Sequence, residues 1–448
     1  MPYTSEPGDG AYLFLFYLFL GHLSSWFHIP IVLLYHLARV LAAVLLLLSM
    51  LKFYVHVFGD KKDFTFNALL LAAVGSGSGW LLLFFGKMTS DFWVAEAYPF
   101  LSCFANPHFP LGIALMLWIV MLATQDGVGR WRTKLLLFLL AVLLSVVMPF
   151  GVVVTIVIVV VDAFVAMLLQ KQKPNWCFVF VILGSAPFLV YQYWATVNDE
   201  VLRIWNLQNV TPTPPWWDLL LSLSPALVLS FLGVVSVLKA EQFLSTKRVV
   251  LVWLLCALAL LCIPFSLQRR FIIGIFIPVA ALAVIGLEDI FCRYQRWKAR
   301  LWLVVMTLSV VTNIILLVSI GGAVLTHNAN IYLSKDEHEA LQWIEANTLP
   351  RDIVLCSPEM GLFIPAYTGR RVIYGHPFET IHAEEESGKV MEWYQGDLGA
   401  KAAHQFVEQR QVAYILCGTR ERRIGCPEYL KDFEAVFTNS EITIFRAQ

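Results

Sequence analysis

LVVMTLSVVTNIILLVSIGGAVLTHNANIYLSKDEHEALQWIEAN, residues 303–347, holds the boundary on which the reading of this chain turns. Up to Leu325 the stretch is apolar and carries no charge, and a run of about 20 such residues spans a bilayer core. Nine residues later Ser334 stands three places before Glu337, with Leu341 and Ile344 following at helical spacing. That pattern is a capping box opening an amphipathic helix with one face in water. The chain therefore changes solvent between Leu325 and Ser334.

Upstream of this junction, apolar segments recur at 30–57, 66–86, 108–124, 135–148, 150–169, 176–196, 218–238, 249–265, 271–290 and 300–325. Pro149 and Gly151 divide one long run into two helices, because proline removes a helix donor and clashes with the preceding turn. Hydrophobic residues make up 58% of the chain and charged residues 14%, with a mean hydropathy of +0.69. Soluble domains carry about 25% charge. The expected fold class is an α-helical integral membrane protein of about ten transmembrane helices with a small C-terminal α/β domain. Its expected parts are 1–29, an outer-face loop and interfacial helix; 30–325, the multi-pass domain; and 334–448, a soluble domain on the outer face. The zero net charge leaves no global electrostatic case for a nucleic-acid partner.

Charge asymmetry orients the spans. With the tail outside the cytoplasm, fourteen basic residues fall in inside loops: Lys61, Lys62, Arg130, Arg132, Lys134, Lys171, Lys173, Lys239, Lys247, Arg248, Arg293, Arg296, Lys298 and Arg300. Four fall outside before the tail: Lys87, Arg203, Arg269 and Arg270. The positive-inside rule then predicts a cell-membrane protein whose C-terminal domain is extracytoplasmic. Residues 11–27 are either a short span or an interfacial helix. Gly21, His22, Ser24 and Ser25 interrupt the apolar run and favour the interfacial helix. Residues 1–10 contain Glu6 and Asp9 and no basic residue, and no basic region or signal peptide precedes the first span.

In the tail, DIVLCS, RRVIYG and VAYILCG read as strands. EMGLFIPAYTG, KVMEWYQ and AKAAHQFVEQR read as helices or turns, and EAVFTNSEITIF as a closing hairpin. Strands alternating with helices predict a mainly parallel sheet. Neither Gly-rich nucleotide motif is present. The eight cysteines lack metal spacing, so no zinc site is expected, and a Cys417–Cys426 bridge is one open pairing.

Ionisable groups gather on the predicted outer side, and such groups near a membrane are costly unless used. The loop 87–107 supplies Asp91 and Glu96, beside Phe92, Trp93 and Tyr98, and leads into His108. The two carboxylates are candidate catalytic groups, as base and electrostatic partner; the alternative is that they cap short helices. Gln268, Arg269 and Arg270 lie between two spans, and adjacent guanidiniums match phosphate geometry; the alternative is anchoring to lipid. His108, His376 and Glu379 join them as candidate substrate-binding residues, the last two in a loop following a strand. The loop 197–217 carries three tryptophans and an Asn209-Val210-Thr211 glycosylation pattern. Gly75-Ser-Gly-Ser-Gly79 is read as close packing inside a helix. Arg39 is the main charge expected at mid-span.

Several segments together resemble the GT-C superfamily of multi-pass glycosyltransferases, specifically its bacterial, dolichyl-phosphate-mannose-protein mannosyltransferase-like members. They are PYTSEPGDGAYLFLFYLFLGHLSSWF with IVLLYHLARVLAAVLLLL, GSGSGWLL, DFWVAEAYPFLSCFANPHF, FSLQRRFIIGIFIP and GHPFET. The resemblance implies transfer of a sugar from a polyprenyl-phosphate carrier to an acceptor on the outer face. It implies that Arg269 and Arg270 bind the carrier phosphate and that Asp91 and Glu96 contribute to the site. Residues 11–27 are similar to the interfacial helix that follows the family's acidic loop. The family's first helix and that loop are accordingly expected to be missing here. The rival readings are a transporter or flippase of a lipid-linked substrate, and an inert GT-C-like membrane protein.

Overall fold

The computed structural model describes residues 2–6, 8, 10–125, 131–170, 176–239, 246–291 and 295–447. Asp9, Arg130, Lys171, Lys173, Cys292 and Arg293, used above, lie outside the described residues. The chain forms two compact units. One comprises Tyr12–Tyr193 and Thr211–Ser319, and the other comprises Met1–Ala11, Trp194–Val210 and Ile320–Gln448.

The first unit is helical. Among the described residues, five helical segments are long and apolar enough to cross a membrane: Ile31–Phe58, Lys62–Phe85, Pro149–Leu168, Cys177–Asn198 and Arg296–Leu325. A bent pair, Trp216–Leu223 with Ala226–Val237 at 87°, makes a sixth if taken as one span. This count does not confirm the expected ten. Other expected segments are helices, but short ones: His108–Thr124, Trp131–Val147, Arg248–Leu260 and Phe276–Phe291. The expected division of the 135–169 run holds, with helices Trp131–Val147 and Pro149–Gln170 meeting at Met148. Met148 is fully buried against Gly112 and Gly151, where a Cβ would come within 2.5 and 2.4 Å of its methyl carbon.

The lipid-type surface is visible residue by residue. Along Ile31–Phe58, Leu33, Leu37, Leu41, Val44, Leu48 and Val55 are exposed, whereas Leu46, Ser49, Met50, Phe53 and Tyr54 are fully buried. Both faces are apolar, as in a helix that is buried or surrounded by lipid. Small residues close the interior. A Cβ on Gly233 would lie 1.9 Å from the Leu282 carbonyl oxygen, and one on Gly286 would lie 2.4 Å from that of Leu229. Helices Ala226–Val237 and Phe276–Phe291 thus touch backbone to backbone. Asp162 and Arg248 form a buried two-pronged ion pair, with Nε–Oδ1 at 2.9 Å and Nη2–Oδ2 at 3.0 Å. Arg39 does not stand alone at mid-span. It donates to the Phe104 carbonyl at 2.7 Å, and Tyr35, one turn earlier, donates to that of Ala105 at 3.3 Å. Both satisfy the open carbonyls at the C-terminus of helix Pro99–Ala105.

One expectation for this unit fails. Gly75–Gly79 is not inside a helix: Lys62–Val74 ends there, and a tighter 3₁₀ turn, Gly79–Phe85, follows. Close packing is nonetheless its role. A Cβ on Gly77 would sit 1.8 Å from the Ser222 carbonyl oxygen. The amides freed by the break are satisfied across the unit, Ser76 N donating to Ser309 O at 2.7 Å and Ser78 N to Leu221 O at 3.2 Å.

The second unit contains a five-stranded sheet. Its strands are β1 (Ile353–Leu355), β2 (Arg371–Val372), β3 (Val412–Cys417), β4 (Glu434–Thr438) and β5 (Thr443–Arg446), in the order β2-β1-β3-β5-β4. β1 pairs in parallel with β2 and β3, whereas β5 runs antiparallel to β3 and β4. The sheet is mixed rather than mainly parallel, because the closing hairpin adds to the inner edge at β3. Helix Lys335–Asn347 opens with the expected capping box: Glu337 N donates to Ser334 Oγ at 3.1 Å, and Ser334 N to Glu337 Oε2 at 2.8 Å. The N-terminal segment extends the other edge. Val372 N donates to Pro2 O, Thr4 bridges Tyr374, and the Arg371 guanidinium binds the carbonyls of Thr4, Ser5 and Glu6.

Candidate functional site

Two prolines and two buried acids shape the loop 87–107. It folds as helices Ser90–Trp93 and Pro99–Ala105, the second begun by Pro99 at a position where its missing N–H costs nothing. Asp218, in the first turn of Trp216–Leu223, accepts from Ser90 N at 2.8 Å and from Ser90 Oγ at 2.9 Å. It therefore supplies from another helix the cap that Ser90–Trp93 lacks. Asp91 is fully buried. Its oxygens accept from Thr89 Oγ1 at 2.6 Å and Thr312 Oγ1 at 2.8 Å. Tyr98, also buried, donates to the Ser222 carbonyl at 2.8 Å.

The loop's exit carries the ionic centre. Backbone bonds from Gly274 N to Glu96 O at 2.8 Å, and from Phe276 N to Ala97 O at 3.3 Å, fasten residues 96–97 to the segment that follows the two arginines. That segment is held from its other side as well, Arg269 N donating to Thr211 O and Thr211 N to Ser266 O. Between these ties, Gln268–Ile272 forms one 3₁₀ turn. It presents Arg269 Nε at 3.7 Å and Arg270 Nη1 at 3.4 Å from the same Glu96 oxygen. The first contact is an ion pair too long for a hydrogen bond. The Glu96 side chain is 3% exposed, that of Arg269 20% and that of Arg270 30%. One carboxylate thus faces two guanidiniums that still reach solvent, leaving an excess of one positive charge.

Aromatic rings complete the wall. The Arg269 guanidinium lies 4.9 Å from the Trp93 ring centre, and that of Arg270 lies 5.5 Å from Phe150 and 6.0 Å from Phe109. Such rings hold a guanidinium in place without using its N–H donors. His108 adjoins this wall, its ring 4.2 Å from that of Phe109 and its Nδ1 2.6 Å from the Tyr17 hydroxyl. Gln268 turns away, its amide donating to the Ile263 carbonyl at 2.6 Å.

Of the residues singled out in the sequence, Glu96, Arg269 and Arg270 come together in direct ionic contact, with His108 at the edge. Asp91 and Glu96 do not act as a pair: their oxygens serve different partners, hydroxyls for Asp91 and guanidiniums for Glu96. Phe150 and Asp218 went unread. Phe150 opens a helix far along the chain, and Asp218 stands just past the loop 197–217 at the start of an apolar run.

His376 and Glu379 belong to the other unit and sit in a turn. Thr380 Oγ1 accepts from Gly375 N and His376 N and donates to Tyr3 O, and His376 Nδ1 accepts from Phe378 N. The turn is clasped to helix Glu200–Gln208, whose Gln208 donates to Thr380 O at 2.6 Å and accepts from His382 N at 3.2 Å. Burial raises the Glu379 carboxyl above its usual range, and a hydrogen bond from the Trp205 indole partly offsets this. Asn209 Nδ2 donates to the Trp205 and Phe378 carbonyls, both at 2.8 Å, so glycosylation there would break two bonds.

No family model and no curated protein matches the sequence. Solved structures do. The archaeal oligosaccharyltransferase AglB from Archaeoglobus fulgidus, in complex with an inhibitory peptide and a dolichol-phosphate, aligns with a TM-score of 0.53 at 12% identity, over 93% of this chain and 62% of that one. The same enzyme tethered to an acceptor peptide containing the NVT sequon gives 0.52 at 12% identity, over 100% and 67%. Its apo form gives 0.53 at 12%, over 93% and 63%. The fold resembles that of this archaeal oligosaccharyltransferase. The chain spans about 62% of the length of the first of these structures. Its resemblance to GT-C proteins thus holds for the fold, while the matches are oligosaccharyltransferases and not the bacterial mannosyltransferase branch expected from the sequence. A membrane protein is the consistent assignment, given this fold and the apolar helices.

Proposed function

We propose that this protein is a membrane glycosyltransferase that takes a sugar from a polyprenyl-phosphate carrier and delivers it to an acceptor on the extracytoplasmic face. The observation that carries the reading is the Arg269–Arg270 turn, which holds two ring-supported, half-buried guanidiniums over a single carboxylate. Such a site suits a lipid phosphate, since planar guanidiniums bind its oxygens in forked pairs and remain charged. As the bond from the sugar's anomeric carbon to the phosphate oxygen breaks, negative charge grows on that oxygen. Donors already in position stabilise it without reorganisation. Glu96 then sets the position of both arginines and balances one of them, and Asp91 fixes the loop that delivers Glu96. His108 borders the phosphate position. His376 and Glu379 shape a turn in the C-terminal unit, which we place, as residues 334–448 on the outer face, by the imbalance of basic residues between the loops.

A second reading, movement of a lipid-linked substrate, draws on the two interrupted helices at Gly75–Ser78 and Ser224, since transporters place substrate sites at such breaks. Here the first break is filled by Ser222 packed on Gly77 and by the hydroxyl-bound Asp91, which favours transfer. The test is a labelled polyprenyl-phosphate sugar presented to membranes containing the full chain. Transfer that falls at least tenfold in Arg270→Ala supports the reading. Substrate flux in proteoliposomes without cleavage of the sugar–phosphate bond supports transport instead.

A further inference from the structure

We propose that Cys417 and Cys426 are a disulfide-forming pair that closes when the chain meets an oxidised thiol pool. Their sulfurs stand 3.0 Å apart, within about 1 Å of a bonded separation of about 2.05 Å. Both ends are anchored. Cys417 ends β3, which β1 and β5 flank. Cys426 follows Gly425, whose amide donates to Glu421 O at 2.9 Å, and a Cβ on Gly425 would lie 2.3 Å from the Tyr394 carbonyl oxygen. Closure therefore brings the two sulfurs about 1 Å nearer between two backbones that are already held.

The two thiols differ in access, and this sets the order of steps. Cys426 is exposed and Cys417 is buried, and burial pushes the Cys417 thiol up to about 12. The Cys426 thiolate attacks a small disulfide such as oxidised glutathione, forming a mixed disulfide and releasing one glutathione thiolate. Cys417 then gives up its proton and attacks the Cys426 sulfur, releasing the second glutathione. Two protein thiols and one glutathione disulfide become one protein disulfide and two glutathione thiols, with no other oxidant. The bridge would clamp the intervening helix Thr419–Ile424. That helix carries Arg420, paired with Glu337 at 2.7 Å, and the buried Glu421, which accepts from Ser357 N at 2.8 Å. It would thereby lock the carboxyl ends of β1 and β3. The inference is independent of the transfer reaction.

The experiment equilibrates the purified full chain with graded ratios of oxidised to reduced glutathione, quenches in acid, alkylates and digests with trypsin without reduction. Arginines at 420, 422 and 423 let the protease cut between the two cysteines. The expected result is a single linked species joining Gln411–Arg420 to Ile424–Lys431, lighter than their sum by two hydrogens and split by reductant. Alkylation of both residues is lost in step. Cys426→Ser, at an exposed position, abolishes the species and returns Cys417 to the alkylatable pool after unfolding. The proposal is overturned if the peptides stay unlinked at every ratio. It is equally overturned if Cys426 ends as a stable glutathione adduct, or if either residue links to a different cysteine.

Discussion

Replacing Arg270 with alanine is the sharpest perturbation of the proposed phosphate site. Arg270 contacts Glu96 at 3.4 Å and lies over Phe109 and Phe150, yet its side chain stays 30% exposed. A hydrogen bond to a charged group contributes about 1.5–3 kcal/mol. Partial exposure places this one toward the lower end, because water screens the pair. At about 1.4 kcal/mol per tenfold, Arg270→Ala is expected to weaken binding of a short-chain polyprenyl phosphate roughly 10- to 30-fold. Glu96→Gln supplies the opposite sign. It removes the one negative charge facing both guanidiniums, an interaction of about 4 kcal/mol before desolvation at close range, and frees their donors for ligand. Binding is expected to tighten in Glu96→Gln and to become more sensitive to salt. The assay is equilibrium binding to the purified chain in nanodiscs of zwitterionic lipid at two salt concentrations, with size-exclusion profiles as the folding control. A folded Arg270→Ala variant with unchanged Kd would refute the reasoning. So would a Glu96→Gln variant that loses affinity as much as Arg270→Ala does.

Four further outcomes test the packing and electrostatics of the two units. Asp162→Ala leaves the Arg248 guanidinium buried without its carboxylate, and thermal unfolding in detergent should show a loss of about 3–5 kcal/mol. Gly77→Ala drives a methyl into the Ser222 carbonyl and should cost about 3 kcal/mol in the same assay. Gly321→Ala, with nothing within 4 Å of the new Cβ, should be neutral or slightly stabilising. The fourth concerns pH. Burial raises the Glu379 carboxyl above its ordinary value of 4.5, so the folded chain holds that proton more tightly than the unfolded chain. Its stabilising effect is complete below 4.5 and declines as pH rises through the folded pKa. Glu379→Gln should therefore flatten that decline, and a melting temperature that falls as steeply in the variant as in the parent would contradict the assignment.

How much was legible depends on the range of the interaction that decides each feature. The capping box at Ser334 and the Met148 junction between two helices follow from residues a few places apart, and both are visible in the sequence. The hairpin at β4 and β5 is equally local. Its pairing with β3 is not, and the sheet is mixed because that edge was the one left open. The ten-span count is not confirmed, because hydropathy averages over breaks in the helices. Gly75–Gly79 reads as apolar and helical, but the α-helix ends at Val74 and the Ser222 backbone occupies the space that a Cβ would fill at Gly77. Among the charges, the Arg269–Arg270 pair stands out because it is rare on a face with few cations. Its partner is Glu96 and not Asp91, a choice five residues of sequence cannot make.

The sequence by itself determined which stretches are apolar enough to suit lipid, because transfer from water to lipid is a sum over side chains and needs no knowledge of neighbours. It also determined which residue types were present for the proposed phosphate site. The tertiary structure alone decided which carboxylate faces the arginines and which rings support them. It also decided which acids are consumed in holding a loop. Those choices depend on contacts of a few ångströms between residues more than a hundred positions apart, as with Glu96 and Arg270, and no periodicity encodes them.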